Sequence, residues 1–82
     1  MIDASLNRAN LHGATLNGAN LSRVNLKGVN LIGANLNAAN LNAANLSGAN
    51  LRNAELKDIK LHGAILCDTT MPDGNKNNSG CK

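Results

Sequence analysis

The chain has 82 residues, a formal net charge of +3 and no Phe, Tyr or Trp, which allows one small domain but excludes an ordinary small globular core built on aromatic side chains. The charge is too small for a dedicated nucleic-acid-binding protein, and no apolar run approaches the length of a membrane span. The first residues lack the basic start and apolar core of a signal peptide. We therefore expect no nucleic-acid binding and no membrane insertion, and the chain as it stands is predicted to be cytoplasmic.

The leucines show how the chain is organised. All thirteen fall on one five-residue phase, which Met71 continues: Leu6, Leu11, Leu16, Leu21, Leu26, Leu31, Leu36, Leu41, Leu46, Leu51, Leu56, Leu61 and Leu66. Two residues before each leucine stands a small or β-branched residue, which is Ala in ten repeats. The residue between these two is Asn in eight repeats, and the second residue after leucine, here called the corner residue, is Gly in six.

A period of five fits neither a helix nor a single long strand. On a helix the leucines would wander round the surface, and on a strand they would alternate between opposite faces. In a short extended segment, however, the small residue and the leucine point to the same side, while the residue between them points outward. The next two residues must then turn the chain. The pattern therefore predicts a coil with one pentapeptide per side around a narrow apolar core.

The run from Ala4 to Leu66 resembles the A-(N/D)-L-x-x motif of the pentapeptide-repeat family. The resemblance implies an all-β fold, a right-handed and four-sided β-helix. Fourteen repeats at four per coil make about 3.5 coils, with Leu6, Leu26, Leu46 and Leu66 in one interior ladder. We assign residues 1–71 to the β-helix and residues 72–82 to a short irregular C-terminal cap. The family resemblance fixes the fold far better than the function.

The repeat pattern ends after Leu66. Pro72-Asp73-Gly74 is a turn signal, and Cys67 and Cys81 flank the segment. A disulfide between them would close the cap. Two free thiols are the alternative in a reducing compartment, and a metal or redox site is the third, disfavoured because the spacing matches no usual pattern.

The segment CDTTMPDG…SGC is similar to the C-terminal ends of pentapeptide proteins from cyanobacteria and plant thylakoids. This similarity implies a photosynthetic source. If the chain is a mature or truncated form, the alternative location is the thylakoid lumen or the periplasm.

The N-terminal end shows no cap, because the repeat phase starts at residue 1. A terminal coil without a cap exposes its core and its backbone edges. We expect Leu6, Leu11 and Leu16 to be accessible there. The coil is predicted to dock on a second copy, an upstream domain or another protein.

No constellation of residues predicts catalysis. His12 and His62 are fifty residues apart and fall on opposite sides of the coil. The carboxylates are scattered, and neither Ser22 nor Ser47 has a histidine nearby to activate it. The sequence therefore predicts no enzyme, no catalytic residue, no cofactor and no metal site.

The outer surface carries the remaining hypotheses. The repeated Asn side chains are predicted to support the backbone, since short amides bond to nearby main chain in tight turns. The corners, only some of which are Gly, are predicted to be of mixed turn type. Arg8 and Lys27 should share one small basic spot. A regular polar face that binds ice or carbohydrate is a further functional class. It is disfavoured because the outward rows of side chains are not uniform.

The favoured function is a non-catalytic structural or protein-binding solenoid. The alternative is a DNA mimic that regulates a type II topoisomerase, as the resemblance implies for some family members. That mechanism needs an acidic surface, whereas this chain has Asn in place of Asp and a net charge of +3.

Overall fold

The chain is a stack of coils with a regular ladder of β-bridges. The computed structural model describes residues 5–80. Parallel bridges join residues that are twenty positions apart, from Ser5 with Asn25 to Asn50 with Thr70. Because a repeat has five residues, each coil takes four repeats. The twenty-residue spacing predicted for the interior ladders is therefore present in the structure.

Backbone hydrogen bonds between coils hold the stack together. In a middle repeat, the N–H of Asn30 donates to the carbonyl of Ala9 in the preceding coil at 2.9 Å. The N–H of Leu31 donates to the carbonyl of Asn50 in the following coil at 2.8 Å, and the corner residue makes a similar bond. Each repeat in the middle is thus joined to both neighbouring coils, as in a parallel sheet.

The corners are uniform. Every corner residue from position 8 to position 68 has a positive φ, between 54° and 73°. The turn is closed by a bond such as that from the N–H of Ala34 to the carbonyl of Leu31 at 3.0 Å. One left-handed residue at the third position of such a turn defines type II. The prediction of mixed turn types is therefore wrong.

Seven residues other than Gly adopt this left-handed conformation: Arg8, Arg23, Ala38, Ala43, Asn53, Asp58 and Asp68. For five of them, Arg8, Arg23, Ala38, Ala43 and Asn53, the physical reason is a hydrogen bond from the corner N–H to the next coil. The N–H of Ala38, for example, donates to the carbonyl of Lys57 in the next coil at 2.7 Å. A corner of another shape would break this bond, so the coil geometry overrides the local preference of the residue.

The apolar core lies in the middle of the stack. Seven leucines are at most 1% exposed: Leu21, Leu26, Leu31, Leu36, Leu41, Leu46 and Leu51. Small residues at the inner position complete the core: Val24, Val29, Ala34, Ala39, Ala44, Ala49 and Ala54. The leucines of the first and last described coils, Leu6, Leu11, Leu16, Leu56, Leu61 and Leu66, are only partly buried.

The C-terminal segment folds back on the stack. Strand β1 (Thr69–Thr70) pairs antiparallel with strand β2 (Lys76–Asn77). Asn78 accepts a hydrogen bond through Oδ1 from the N–H of Asp68 at 2.8 Å, and the N–H of Met71 donates to the carbonyl of Asn75 at 2.8 Å. These contacts occupy backbone groups that in lower coils bond to the next coil.

The other two sides of the last coil are not covered in this way. Within residues 5–80, the N–H groups of Leu56 and Leu61 have no hydrogen-bond partner. Residues 72–80 therefore lie over two of the four sides of the last coil.

Candidate functional site

The described part of the chain has an open groove of about 450 Å³ on one side of the solenoid. Four successive coils each contribute one outward residue and one corner residue. The lining residues are Asn7, Arg8, Lys27, Gly28, Ser47, Gly48, Cys67 and Asp68. The twenty-residue spacing of the coils brings these distant pairs into two adjacent rows.

Two glycines make this surface concave. The corners at Gly28 and Gly48 have φ of +68° and +70° and carry no side chain. A Cβ on Gly28 would lie 3.3 Å from Cγ of Arg8, closer than most side-chain contacts. The groove floor is therefore bare backbone at Gly48, while the aliphatic part of the Arg8 side chain lies over Gly28.

The charge of the groove is unevenly distributed. Arg8 and Lys27 lie in successive coils, and the N–H of Arg8 donates to the carbonyl of Lys27 at 2.7 Å. The prediction that these two cations share one basic spot is confirmed. At the other end, Asp68 forms an ion pair with Nζ of Lys76 at 3.1 Å, between exposed side chains. Asp68 is the single carboxylate among the groove-lining residues, and it lies at the end opposite the two cations.

The repeated asparagines support the backbone, as the sequence predicted. Each accepts a hydrogen bond through Oδ1 from the N–H two residues later, at 3.0–3.2 Å. This N–H precedes the corner and points outward, so the side chain satisfies a donor that the ladder does not use. The eight residues are Asn10, Asn20, Asn25, Asn30, Asn35, Asn40, Asn45 and Asn50.

Two further asparagines have a role that the sequence reasoning missed. Where Glu55 and Lys60 replace the repeated Asn, the outward N–H is accepted by a side chain of the coil below. Asn37 accepts from Lys57 and Asn42 accepts from His62, both at 2.9 Å. The available signal was the spacing: each of these asparagines stands twenty residues before the N–H it serves.

The residues considered for chemistry do not converge. The bridge ladder places His12 and His62 on sides that are two apart. Within residues 5–80, no group of three or more His, Cys, Asp or Glu side chains could hold a metal ion. Ser47 lines the groove, whose lining includes no histidine. No helix in the described range could cross a membrane.

The predicted cysteine pairing falls at the edge of what the structure describes. The structure describes Cys67. Cys81, the only other cysteine in the sequence, lies outside the described residues. The pairing of these two residues therefore stays a prediction.

A second feature is the open edge of the N-terminal coil, defined here by Leu6, Leu11, Leu16 and the backbone of residues 5–20. The three leucines are partly exposed. Within the described range, the N–H groups of Asn10 and Thr15 have no hydrogen-bond partner. Both apolar side chains and sheet hydrogen-bonding groups are thus accessible at this edge.

Comparisons with known proteins agree with the geometry. The family described as pentapeptide repeats matches residues 4–42 and 30–68, in eight copies. The structure is similar to a pentapeptide repeat protein of the cyanobacterium Cyanothece 51142, with 42% identity over 78% of this chain and a TM-score of 0.76. It is also similar to one from the Arabidopsis thaliana thylakoid lumen, with 30% identity over 95% of this chain and a TM-score of 0.61.

The chain spans 44% and 57% of the lengths of these two solved proteins. No curated protein matches the sequence. The family match and the coil geometry together establish a right-handed β-helix solenoid. The resemblance predicted from the A-(N/D)-L-x-x pattern and from the C-terminal segment is confirmed.

Proposed function

The chain belongs to the pentapeptide-repeat family, and from this premise we propose that it is a non-catalytic scaffold that binds protein through its N-terminal coil. The partner is another protein or a second copy of the chain. The observation that carries the proposal is the open edge of the N-terminal coil, where partly exposed leucines lie beside backbone N–H groups that have no hydrogen-bond partner among residues 5–80.

Such an edge has two sources of binding free energy. Covering Leu6, Leu11 and Leu16 removes apolar surface from water, at about 25 cal/mol per Å². A strand laid against the edge also pairs with the N–H groups of Asn10 and Thr15, as in β-strand addition. Both contributions come from the same face, so a single partner surface can use them together.

The C-terminal end is less open. Residues 72–80 occupy two sides of its last coil. The N–H of Met71 bonds to Asn75 there, and the N–H of Asp68 bonds to the side chain of Asn78. We propose that residues 72–82 act as a cap on a β-helix of about 3.5 coils over residues 1–71, closed by Cys67 and Cys81. The N-terminal coil is therefore the better docking surface of the two ends.

The charges on the outer surface of the solenoid argue against the DNA-mimic alternative. Such a mimic presents carboxylates where DNA presents phosphates, whereas the groove lining has two cations, Arg8 and Lys27, and a single carboxylate, Asp68. The outward Asn side chains are neutral and occupied with backbone N–H groups.

The compartment follows from the cysteines in this proposal. Disulfides persist in oxidising compartments and are rare in the cytosol. The proposed disulfide between Cys67 and Cys81 therefore favours the thylakoid lumen or periplasm over the cytoplasm. The similarity to the protein of the Arabidopsis thylakoid lumen supports the same choice.

The docking surface can be tested with a matched pair of variants. The bait carries its tag at the C-terminus, and Leu11→Lys places a charge on the open edge. His12→Lys places the same charge on the outward face of the same coil and serves as the control. We expect a partner from lysate, or a second copy in sedimentation, to bind the parent and His12→Lys but not Leu11→Lys. Equal binding by all three proteins would contradict docking through this edge.

A further inference from the structure

The basic groove has a shape and charge that the N-terminal docking edge does not explain. We propose that it is a second binding site, which holds an extended acidic peptide segment. The groove lies on the outward side of the coils, lined by Arg8, Lys27 and Ser47 among others. Its occupant therefore need not touch Leu11 or the open edge of the N-terminal coil.

The length of the groove suits a short extended peptide. The corner row runs from Arg8 over Gly28 and Gly48 to Asp68, which is three steps between coils. At about 4.8 Å per step the row is about 14 Å long, close to the span of four extended residues. The volume of about 450 Å³ falls in the range of ligand sites, about 300–1,000 Å³.

The floor of the groove allows a peptide to approach the coil backbone closely. At Gly48 no side chain covers the backbone, so a peptide main chain can lie directly on the coil surface there, next to the aliphatic part of Arg8, which lies over Gly28. The hydroxyl of Ser47 makes no hydrogen bond to the described residues and can donate to a ligand. An extended segment thus finds both room and a polar contact along the middle of the groove.

The charges select the chemistry of the occupant. Arg8 and Lys27 provide a pair of cations at one end, and a guanidinium can bind a carboxylate through two parallel hydrogen bonds. Asp68 at the other end is engaged with Lys76 and leaves little free negative charge. The sequence has no Phe, Tyr or Trp, on which a single-stranded nucleic acid would stack its bases. Carboxylates on a peptide fit better than phosphates on a nucleic acid.

The test measures the fluorescence anisotropy of a labelled peptide of alternating glutamate and glycine. We expect saturable binding to the parent that weakens as salt is raised, because salt screens exposed charges. The double variant Arg8→Gln with Lys27→Gln should bind about tenfold more weakly. Ser47→Glu, which places a carboxylate inside the groove, should abolish binding.

Two controls isolate the groove. Ser22→Glu makes the same substitution at the same repeat position on another side of the coil, and Lys57→Gln removes a cation from a different side. Both should bind like the parent, as should Leu11→Lys, so this test is separate from that of the N-terminal edge. Circular dichroism confirms that each variant keeps the parent fold.

Three results would overturn the proposal. The first is no saturable binding of the peptide by the parent. The second is an equal loss of binding in Ser22→Glu and Ser47→Glu. The third is tighter binding of a single-stranded DNA oligomer that is lost in the Arg8→Gln with Lys27→Gln variant, which would assign the groove to nucleic acid.

Discussion

The middle coils and the N-terminal coil are built by the same rule but are buried to different extents. Leu31 and Leu36 are 0% exposed, whereas Leu11 and Leu16 are partly exposed. Their corners have the same left-handed shape, with φ of +69° at both Gly13 and Gly33. The repeat therefore specifies the form of each coil, while burial depends on having a coil on both sides.

This difference gives the N-terminal coil accessible groups that the middle coils lack. A middle coil has its apolar face and its backbone edges covered by its neighbours. The N-terminal coil has the same groups but a neighbour on only one side in the described structure. The following predictions test how far that contrast extends, from the largest expected effect to the smallest.

The sharpest contrast is expected for leucine truncation. Leu36→Ala leaves a cavity in the fully buried core and should lower the free energy of unfolding by about 2–5 kcal/mol. Leu11→Ala removes a side chain that is already partly hydrated and should lower it by less than half as much. Urea unfolding followed by circular dichroism measures both, and equal losses would contradict the difference in burial.

The predicted disulfide extends the comparison to the C-terminal end. Cys81→Ser removes a cross-link that would close a loop of about 15 residues, so the free energy of unfolding should fall by about 3 kcal/mol. The matched measurement is a thiol assay on air-oxidised parent protein. Two reactive thiols in the parent, or no stability change in Cys81→Ser, would remove the disulfide from the account.

Corner substitutions test whether the turn shape is imposed by the stack. A Cβ on Gly33 meets nothing within 4 Å, so Gly33→Ala should lower the free energy of unfolding by about 1–2 kcal/mol through its left-handed φ alone. Gly13 has the same corner geometry but lies in the N-terminal coil, which can fray. Gly13→Ala should therefore lower the free energy of unfolding by less.

The reverse change should have the opposite sign. Ala38 has a φ of 60°, and Ala38→Gly should raise the free energy of unfolding by a few tenths to about 1 kcal/mol. Thermal unfolding of the three corner variants checks this order. A loss in Ala38→Gly would show that the corner is not strained.

The smallest effects concern the asparagines. Asn30→Ala leaves the N–H of Ile32 without its partner and should lower the free energy of unfolding by about 1 kcal/mol. Asn10→Ala, whose bond to the N–H of His12 is exposed and longer at 3.2 Å, should cost about half of that. Asn17, whose side chain makes no hydrogen bond in the described range, provides a control. Equal unfolding midpoints for Asn30→Ala and Asn17→Ala would contradict the supporting role.

Much of this architecture could be read from the sequence because each repeat obeys one spacing rule. The leucine phase predicted the coil, and the twenty-residue spacing predicted that Arg8 and Lys27 lie together. The corners could not be read in the same way. Ala38, for example, prefers other conformations in isolation, and its hydrogen bond to the next coil imposes a positive φ on it.

The groove was predicted only in part, for a related reason. The sequence gives the position of each charge, but the concavity arises from missing side chains at Gly28 and Gly48, seen only when the coils are stacked. The partial cover of the last coil also depends on where residues 75–80 fold back, and irregular segments carry no periodic signal.

The measurement closest to the central claim is amide hydrogen exchange of the protein alone and with its captured partner. In the free protein, the amides of Asn10 and Thr15 should exchange rapidly and those of Asn30 and Asn35 slowly, because only the latter two donate to a neighbouring coil. Binding should then protect Asn10 and Thr15 selectively. Protection confined to other residues, with Asn10 and Thr15 still exchanging rapidly, would contradict docking through the N-terminal coil.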